Sequence, residues 1–180
     1  MLIYNIFESA GDVIVQTTGS LDLTGATSVG QGNCNANEVI VSSFGAICAG
    51  LFGDIPIYTI SGPTSFNGTV AAQASNVSGI TTSLVGLGAS FGIDSNYNYG
   101  TPIVSNATFN GQTLASLGFT TSGLIGTWSI TGTSETIQVY LCNPPAAAVP
   151  GPLPLLGVGA AFGWSRRLRK RIAAPLITPS

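Results

Sequence analysis

The sequence predicts an all-β fold: an antiparallel two-sheet sandwich of jelly-roll type, followed by a C-terminal apolar helix. Three observations carry this. Gly, Ser and Thr make up about a third of the chain and only 7% of residues are charged. Short β-branched runs recur between Gly/Asn/Ser/Pro clusters, the pattern of a two-sheet sandwich or a barrel. No stretch before residue 150 sustains a 3.6-residue period.

The elements follow in order. Leu2 to Glu8 alternates with period two and, after Ser9-Ala10-Gly11-Asp12, Val13 to Thr18 forms a second β-branched run, so the chain opens on a hairpin. Further strands are expected at 38–44, 55–60, 65–71, 79–85, 103–109 and 124–131. The clearest lies at 135–142, where Ile137, Val139 and Leu141 face the core and Thr136, Gln138 and Tyr140 face solvent; Gly132-Thr133-Ser134 turns it back on the strand before. No internal repeat points to a solenoid or propeller.

At Asn143 the strands give way to a different composition. The expected organisation is a body at 1–143, a Pro-rich linker at 144–152, a short apolar or transmembrane helix at 153–165, a basic cluster at 166–171 and a tail at 172–180. Pro150, Pro152 and Pro154 interrupt the first half of the uncharged stretch, so a span here would be thin or tilted. The basic cluster, Arg166, Arg167, Arg169, Lys170 and Arg171, holds every Lys and Arg of the chain. The rest carries seven carboxylates and no His, which splits the net charge of −2 into an acidic body and a basic tail.

That split removes whole classes of function. Without cations the body cannot neutralise phosphates, so nucleic acid is not its partner. Without His, Lys or Arg it lacks a Ser-His-Asp triad, a His-based zinc site, a Schiff-base lysine and a P-loop. No cofactor, metal or catalytic residue is expected. A carboxylate pair drawn from Glu8, Glu38 and Glu135 is the one catalytic design left, and each sits where a solubilising role suffices.

Val149-Pro150-Gly151-Pro152, an apolar run and the basic cluster, in that order, resemble the three-part C-terminal signal of PEP-CTERM sorting-domain proteins. Phe7-Glu8, Gly11 to Val15 and Gly19 to Leu23 are similar to the opening of mature proteins in that family, as is Ala107 to Phe119 before the Trp128 strand. The resemblance implies a bacterial exported protein and a partner exosortase, a membrane-embedded cysteine transpeptidase-like enzyme. It further implies membrane contact through residues 153–171 before processing, and delivery to the cell envelope, surface or extracellular matrix.

Gly151 stands where the family carries Glu, leaving a variant sorting enzyme or plain anchoring as alternatives, and nine residues follow the cluster. No charged n-region or apolar h-region precedes the first strand, so export implies a start codon placed too late and a signal peptide encoded upstream. The functional expectation is a structural or adhesive matrix protein; the alternative is a carbohydrate-binding module in an exopolysaccharide matrix.

In an oxidising compartment Cys34 and Cys48 would close a loop worth roughly 3 kcal/mol, leaving Cys142 for an intermolecular bond, a free thiol or another pairing. Asp94-Ser95-Asn96-Tyr97-Asn98-Tyr99-Gly100 has the Asp/Asn spacing that opens a calcium loop, but the Gly comes one position late and Ser105 replaces the bidentate Glu. An Asn-rich turn is the better reading. Tyr58, Tyr97, Tyr99 and Tyr140 are expected at the surface, where they would be available to stack on sugar rings or simply be unpatterned.

Overall fold

A computed structural model describes residues 1–34, 40–51 and 53–141. The expected linker, helix, basic cluster and tail lie outside the described residues. Within these the protein is mostly β, with thirteen strands and one short 3-10 turn.

The hairpin forms as its pattern requires. Strands β1 (Leu2–Ser9) and β2 (Asp12–Gly19) pair in register from Leu2↔Gly19 to Ser9↔Asp12. The two-residue loop places Ala10 at φ 54° and Gly11 at φ 89°, the pair of positive angles that matches the right-handed twist of the flanking strands. β11 (Ile103–Phe109) adds antiparallel to β2, and β8 (Asn76–Gly79) adds to β11.

On the other side of β1 lies β13 (Thr136–Leu141), paired in parallel, and beyond it β12 (Gly123–Ile130), antiparallel. Burial alternates along β13, with Ile137, Val139 and Leu141 inward. The first and last described strands are therefore neighbours.

β6 (Gly53–Ser61) continues the path. Its last two residues pair with β12, while its earlier residues pair with β3 (Ser28–Cys34) and with β10 (Ser90–Ile93). From β10 the sheet runs through β9 (Thr82–Val85), β5 (Ala46–Ala49) and β4 (Ile40–Val41) to β7 (Ala71–Ala72). Although far apart along this hydrogen-bonded order, β5 lies against β2, β8 and β11, and the space between them is filled by the core.

Several expected strands take another form. After Val41 the chain makes a 3-10 turn, Ser42–Phe44, ended by Gly45 in the left-handed region, and becomes extended again at Ala46. At 79–85, Gly79 (φ 90°) ends β8 and a new strand starts at Thr82. Most of 65–71 is no strand. Asn67 has φ 60°, and the segment is held by separate bonds, Phe66 N to Ser42 O and Ser42 N to Val70 O, which drive Phe66 into the core.

There Phe66 meets Trp128 edge-on at 5.9 Å, and Phe119 at 6.4 Å. Trp128 is fully buried and donates its indole N–H to Pro63 O at 2.8 Å. Glycine is required beside it. A Cβ at Gly62 would stand 2.5 Å from the Trp128 ring and one at Gly126 2.9 Å from it. A row of hydroxyls, Tyr4, Thr17 and Ser105, runs across β1, β2 and β11 in register with no surface exposure. Burial pushes the Tyr4 phenol far above its ordinary range, so it stays neutral wherever the protein is folded.

Carboxylates tie the loops. Asp12 Oδ1 accepts from Gly111 N at 2.8 Å and Glu8 Oε1 from Leu114 N, joining the hairpin tip to the turn after β11. Glu135 accepts from the N-terminal ammonium and, through Oε1, from Asp22 N at 3.0 Å. Partial burial raises the Glu135 carboxyl, but the ammonium and the Asp22 amide outweigh it and hold the group below its ordinary value.

Two predictions follow from this packing. Gly50 sits at φ 90° with its would-be Cβ 2.1 Å from Ile80 O, whereas a Cβ at Gly30 meets nothing within 4 Å. Gly50→Ala should cost at least ~2 kcal/mol in urea unfolding and Gly30→Ala within about 0.5 kcal/mol of zero; equal effects would refute the packing at Gly50. Because the Glu135 carboxyl is depressed on folding, its contribution is complete above the ordinary value of 4.5 and is lost as pH falls through the folded-state value. Glu135→Gln should remove at most about 1 kcal/mol at pH 7 and little at pH 3. An effect that grows on acidification would contradict this.

Candidate functional site

One loop, Asp94 to Thr101, joins β10 to β11 and carries an aspartate, two asparagines and two tyrosines beside open grooves. Asp94 starts it with an Asx turn: Oδ1 accepts from Asn96 N at 2.8 Å and Asn96 Nδ2 at 3.2 Å, while Asp94 O accepts from Tyr97 N at 3.0 Å. At the far end Asn98 O accepts from Thr101 N and Thr101 Oγ1, and Gly100 (φ 79°) donates to Leu21 O at 2.8 Å.

Tyr97 fastens the loop to the body. Its hydroxyl accepts from Leu21 N at 3.0 Å and lies 2.8 Å from Thr101 O and 3.1 Å from Leu21 O, either of which takes its proton. Its ring stands 6.3 Å from that of Tyr99, tilted by 41°. Tyr99 is 50% exposed. Tyr58, from the centre of β6, has its phenol pushed up to about 12 by burial and by the neighbouring Tyr99 hydroxyl.

Two open grooves flank this loop. One, of about 320 Å³, is bounded by Pro56 and Tyr58 on β6 and by Asp94, Ser95, Asn98 and Tyr99 on the loop. The other, of about 250 Å³, lies against Ile80, Asn96 and Thr101 and shares Asp94, Tyr97 and Asn98. The second oxygen of Asp94, the Ser95 hydroxyl and the Asn98 amide have no hydrogen bond within the described body. The first groove thus offers one half-exposed aromatic ring and three unengaged polar groups.

The structure sorts the tyrosines differently from the sequence. Tyr58 is 7% and Tyr97 9% exposed, since β6 is paired on both sides at Tyr58 and the Leu21 backbone captures the Tyr97 hydroxyl. Tyr140 is half-buried and donates to Gln138 Oε1 at 3.3 Å. The signal available for Tyr97 was its place in a turn-forming Asp/Asn run, where a large ring needs an anchor; nothing near Tyr58 distinguished it.

Glu8 and Glu135 do not come together. They lie at opposite ends of β1, about 20 Å apart at roughly 3.3 Å per residue, whereas a glycosidase pair stands within about 10 Å. Glu38 and Cys142 lie outside the described residues, as do the sorting motif Val149, Pro150, Gly151, Pro152 and the basic cluster 166–171. Cys34 and Cys48 are joined in a disulfide with Cα atoms 5.8 Å apart, both buried. Among the described residues no cluster of three or more Cys, Asp or Glu could hold a metal, and no helix is long and apolar enough to cross a membrane.

Compared with protein-family models, curated proteins and solved structures, the chain shows no significant match.

The disulfide gives a direct test. Non-reducing peptide mapping should recover a Cys34–Cys48 peptide, and the Cys34→Ser/Cys48→Ser variant should lose roughly 3 kcal/mol of unfolding free energy, the value for closing a loop of this size. Free thiols at both positions in the oxidised protein would exclude the bridge.

Proposed function

We propose that this protein is an exported bacterial protein, displayed at or released from the cell surface through a PEP-CTERM-like tail, acting structurally or adhesively in the extracellular matrix. The observation that carries the reading is the order Val149-Pro150-Gly151-Pro152, apolar run, basic cluster. The proline segment presents an extended peptide to an exosortase-like enzyme, the apolar run sits in the membrane, and the five cations hold the C-terminal end on the cytoplasmic side. Two features of the body support it: a buried disulfide suits an oxidising compartment, and a surface of hydroxyls and carboxylates suits a domain that works outside the cell.

In this reading the body is a two-layer sandwich of jelly-roll type. The support is the approach of β5 to β2, β8 and β11 across a core built from both ends of the sheet path. A second reading, a carbohydrate-binding module of the same fold, is favoured by the aromatic and polar groove beside the Asp94–Thr101 loop.

Localisation tests the first reading. Removing residues 149–180 from a tagged protein should shift it from the envelope fraction to the medium or periplasm, and replacing the five basic residues with Gln should impair its retention before processing. An unchanged distribution after the deletion would end the sorting proposal.

A further inference from the structure

We propose that the groove between β6 and the Asp94–Thr101 loop binds a neutral saccharide, with the exposed face of Tyr99 under a pyranose ring and Asp94, Ser95 and Asn98 on its hydroxyls. This rests on the second reading above and names its site and its ligand class.

The ligand class follows from what the groove contains and what it lacks. Tyr99 is half exposed, and its ring is braced from one side by Tyr97 at 6.3 Å. The braced ring keeps its orientation at little entropic cost, and its free face meets the apolar C–H face of a sugar. Hydroxyls on the edge of the same sugar need paired acceptors and donors. Asp94 Oδ2 accepts, the Asn98 amide donates and accepts, and Ser95 does both.

These groups are held in place without being used up. Asp94 is positioned by its other oxygen, which locks the Asx turn, and Asn98 by its own carbonyl, which closes the turn to Thr101. The volume of about 320 Å³ stands at the lower end of the roughly 300–1,000 Å³ range of ligand sites. It suits one or two sugar rings of a longer chain running out through the open ends.

Charge selects against other ligands. The only cation among the described residues is the N-terminal ammonium, which is engaged by Glu135. Among the described residues no basic group offsets Asp94 at the groove, so the groove itself disfavours uronates, sulfated glycans and phosphates. A purely apolar ligand would strand Asp94, Ser95 and Asn98 without partners.

The test uses the full 180-residue chain in a detergent without a sugar headgroup. Isothermal titration with cellohexaose, laminarihexaose and mannohexaose as neutral probes should show binding of at least one. A galacturonic acid hexamer should show none with the chain whose five basic residues at 166–171 are replaced by Gln, so that the tail does not capture the acid. Tyr99→Ala should weaken binding about tenfold or more, Tyr99→Phe should retain most of it, and Asn98→Ala and Asp94→Asn should each weaken it severalfold. Tyr140→Ala, away from the groove, should leave it unchanged. Matching thermal melts exclude misfolding of Tyr99→Ala, a half-exposed position.

Neutral-probe binding that survives Tyr99→Ala and Asn98→Ala overturns this site while leaving the carbohydrate-binding reading in place. Preference of the Gln-substituted chain for the acidic hexamer overturns the ligand class. Failure of all three neutral probes overturns the site and the reading together.

Discussion

The described body holds six carboxylates and no lysine, arginine or histidine, so it has no side-chain cation with which to pair them. Asp12, Asp94 and Glu135 are half-buried and Glu8 and Asp22 exposed, and the backbone supplies each with a partner. Glu8 takes the amide of Leu114, Asp12 that of Gly111, Asp22 that of Thr24, Asp94 that of Asn96 and Glu135 that of Asp22. Asp54, exposed on β6, has no such bond. Each of the other five thereby becomes a loop-fixing device. A charged acceptor on a backbone N–H makes a stronger hydrogen bond than a neutral one. At Asp22 and Glu135 the bonds hold the carboxyl below its ordinary value, so what they contribute is lost as pH falls.

This same device explains how the loops around the sheet stay ordered with so many glycines. The hairpin tip is tied to the turn after β11 at two points, by Glu8 and Asp12, and the start of β1 is tied to the chain after β2 and the turn before β13 by Glu135. β1, flanked by parallel β13 on one side and antiparallel β2 on the other, is thus fixed at both ends. The Asp94 turn extends the principle to the groove, where one carboxylate oxygen shapes the loop and the other makes no hydrogen bond within the described body.

Much of this architecture was legible where side chains alternate strictly. β1, β2, β11 and β13 all read from the sequence, because each buries one face and period two follows. β3 did not: Ser28-Val29-Gly30-Gln31-Gly32-Asn33-Cys34 has little β propensity and becomes a strand through its pairing with β6. Gly32 lies so close to Ile57 that a Cβ would stand 2.7 Å from it, a long-range demand that no local pattern encodes. β10 and β8 are four residues each, too short for a period to show. The residues 65–71 misled in the opposite direction, since Phe66 and Val70 read as a strand face while Asn67 and Gly68 break it. At the groove, the Asp/Asn run announced a turn, but which tyrosine stays exposed depended on partners 41 and 76 residues away in the chain, Tyr58 for Tyr99 and Leu21 for Tyr97.

The placement of charge joins these levels. Positive charge directs membrane orientation only when it lies close to the end of a span, and on the proposed reading the sole cluster of Lys and Arg lies there. A body free of cations leaves that signal without a competitor. It also leaves five of the six described carboxylates, all but Asp54, on the chain's own amides, which pins loops that a hydroxyl-rich, glycine-rich surface would otherwise leave slack. It leaves the groove beside Asp94 with polar groups and an aromatic face but no cation among the described residues, which on the proposed reading directs its chemistry toward neutral, hydroxyl-bearing ligands. One compositional choice, made at the level of residue type, thus acts on topology, on loop rigidity and on the range of partners the surface can hold.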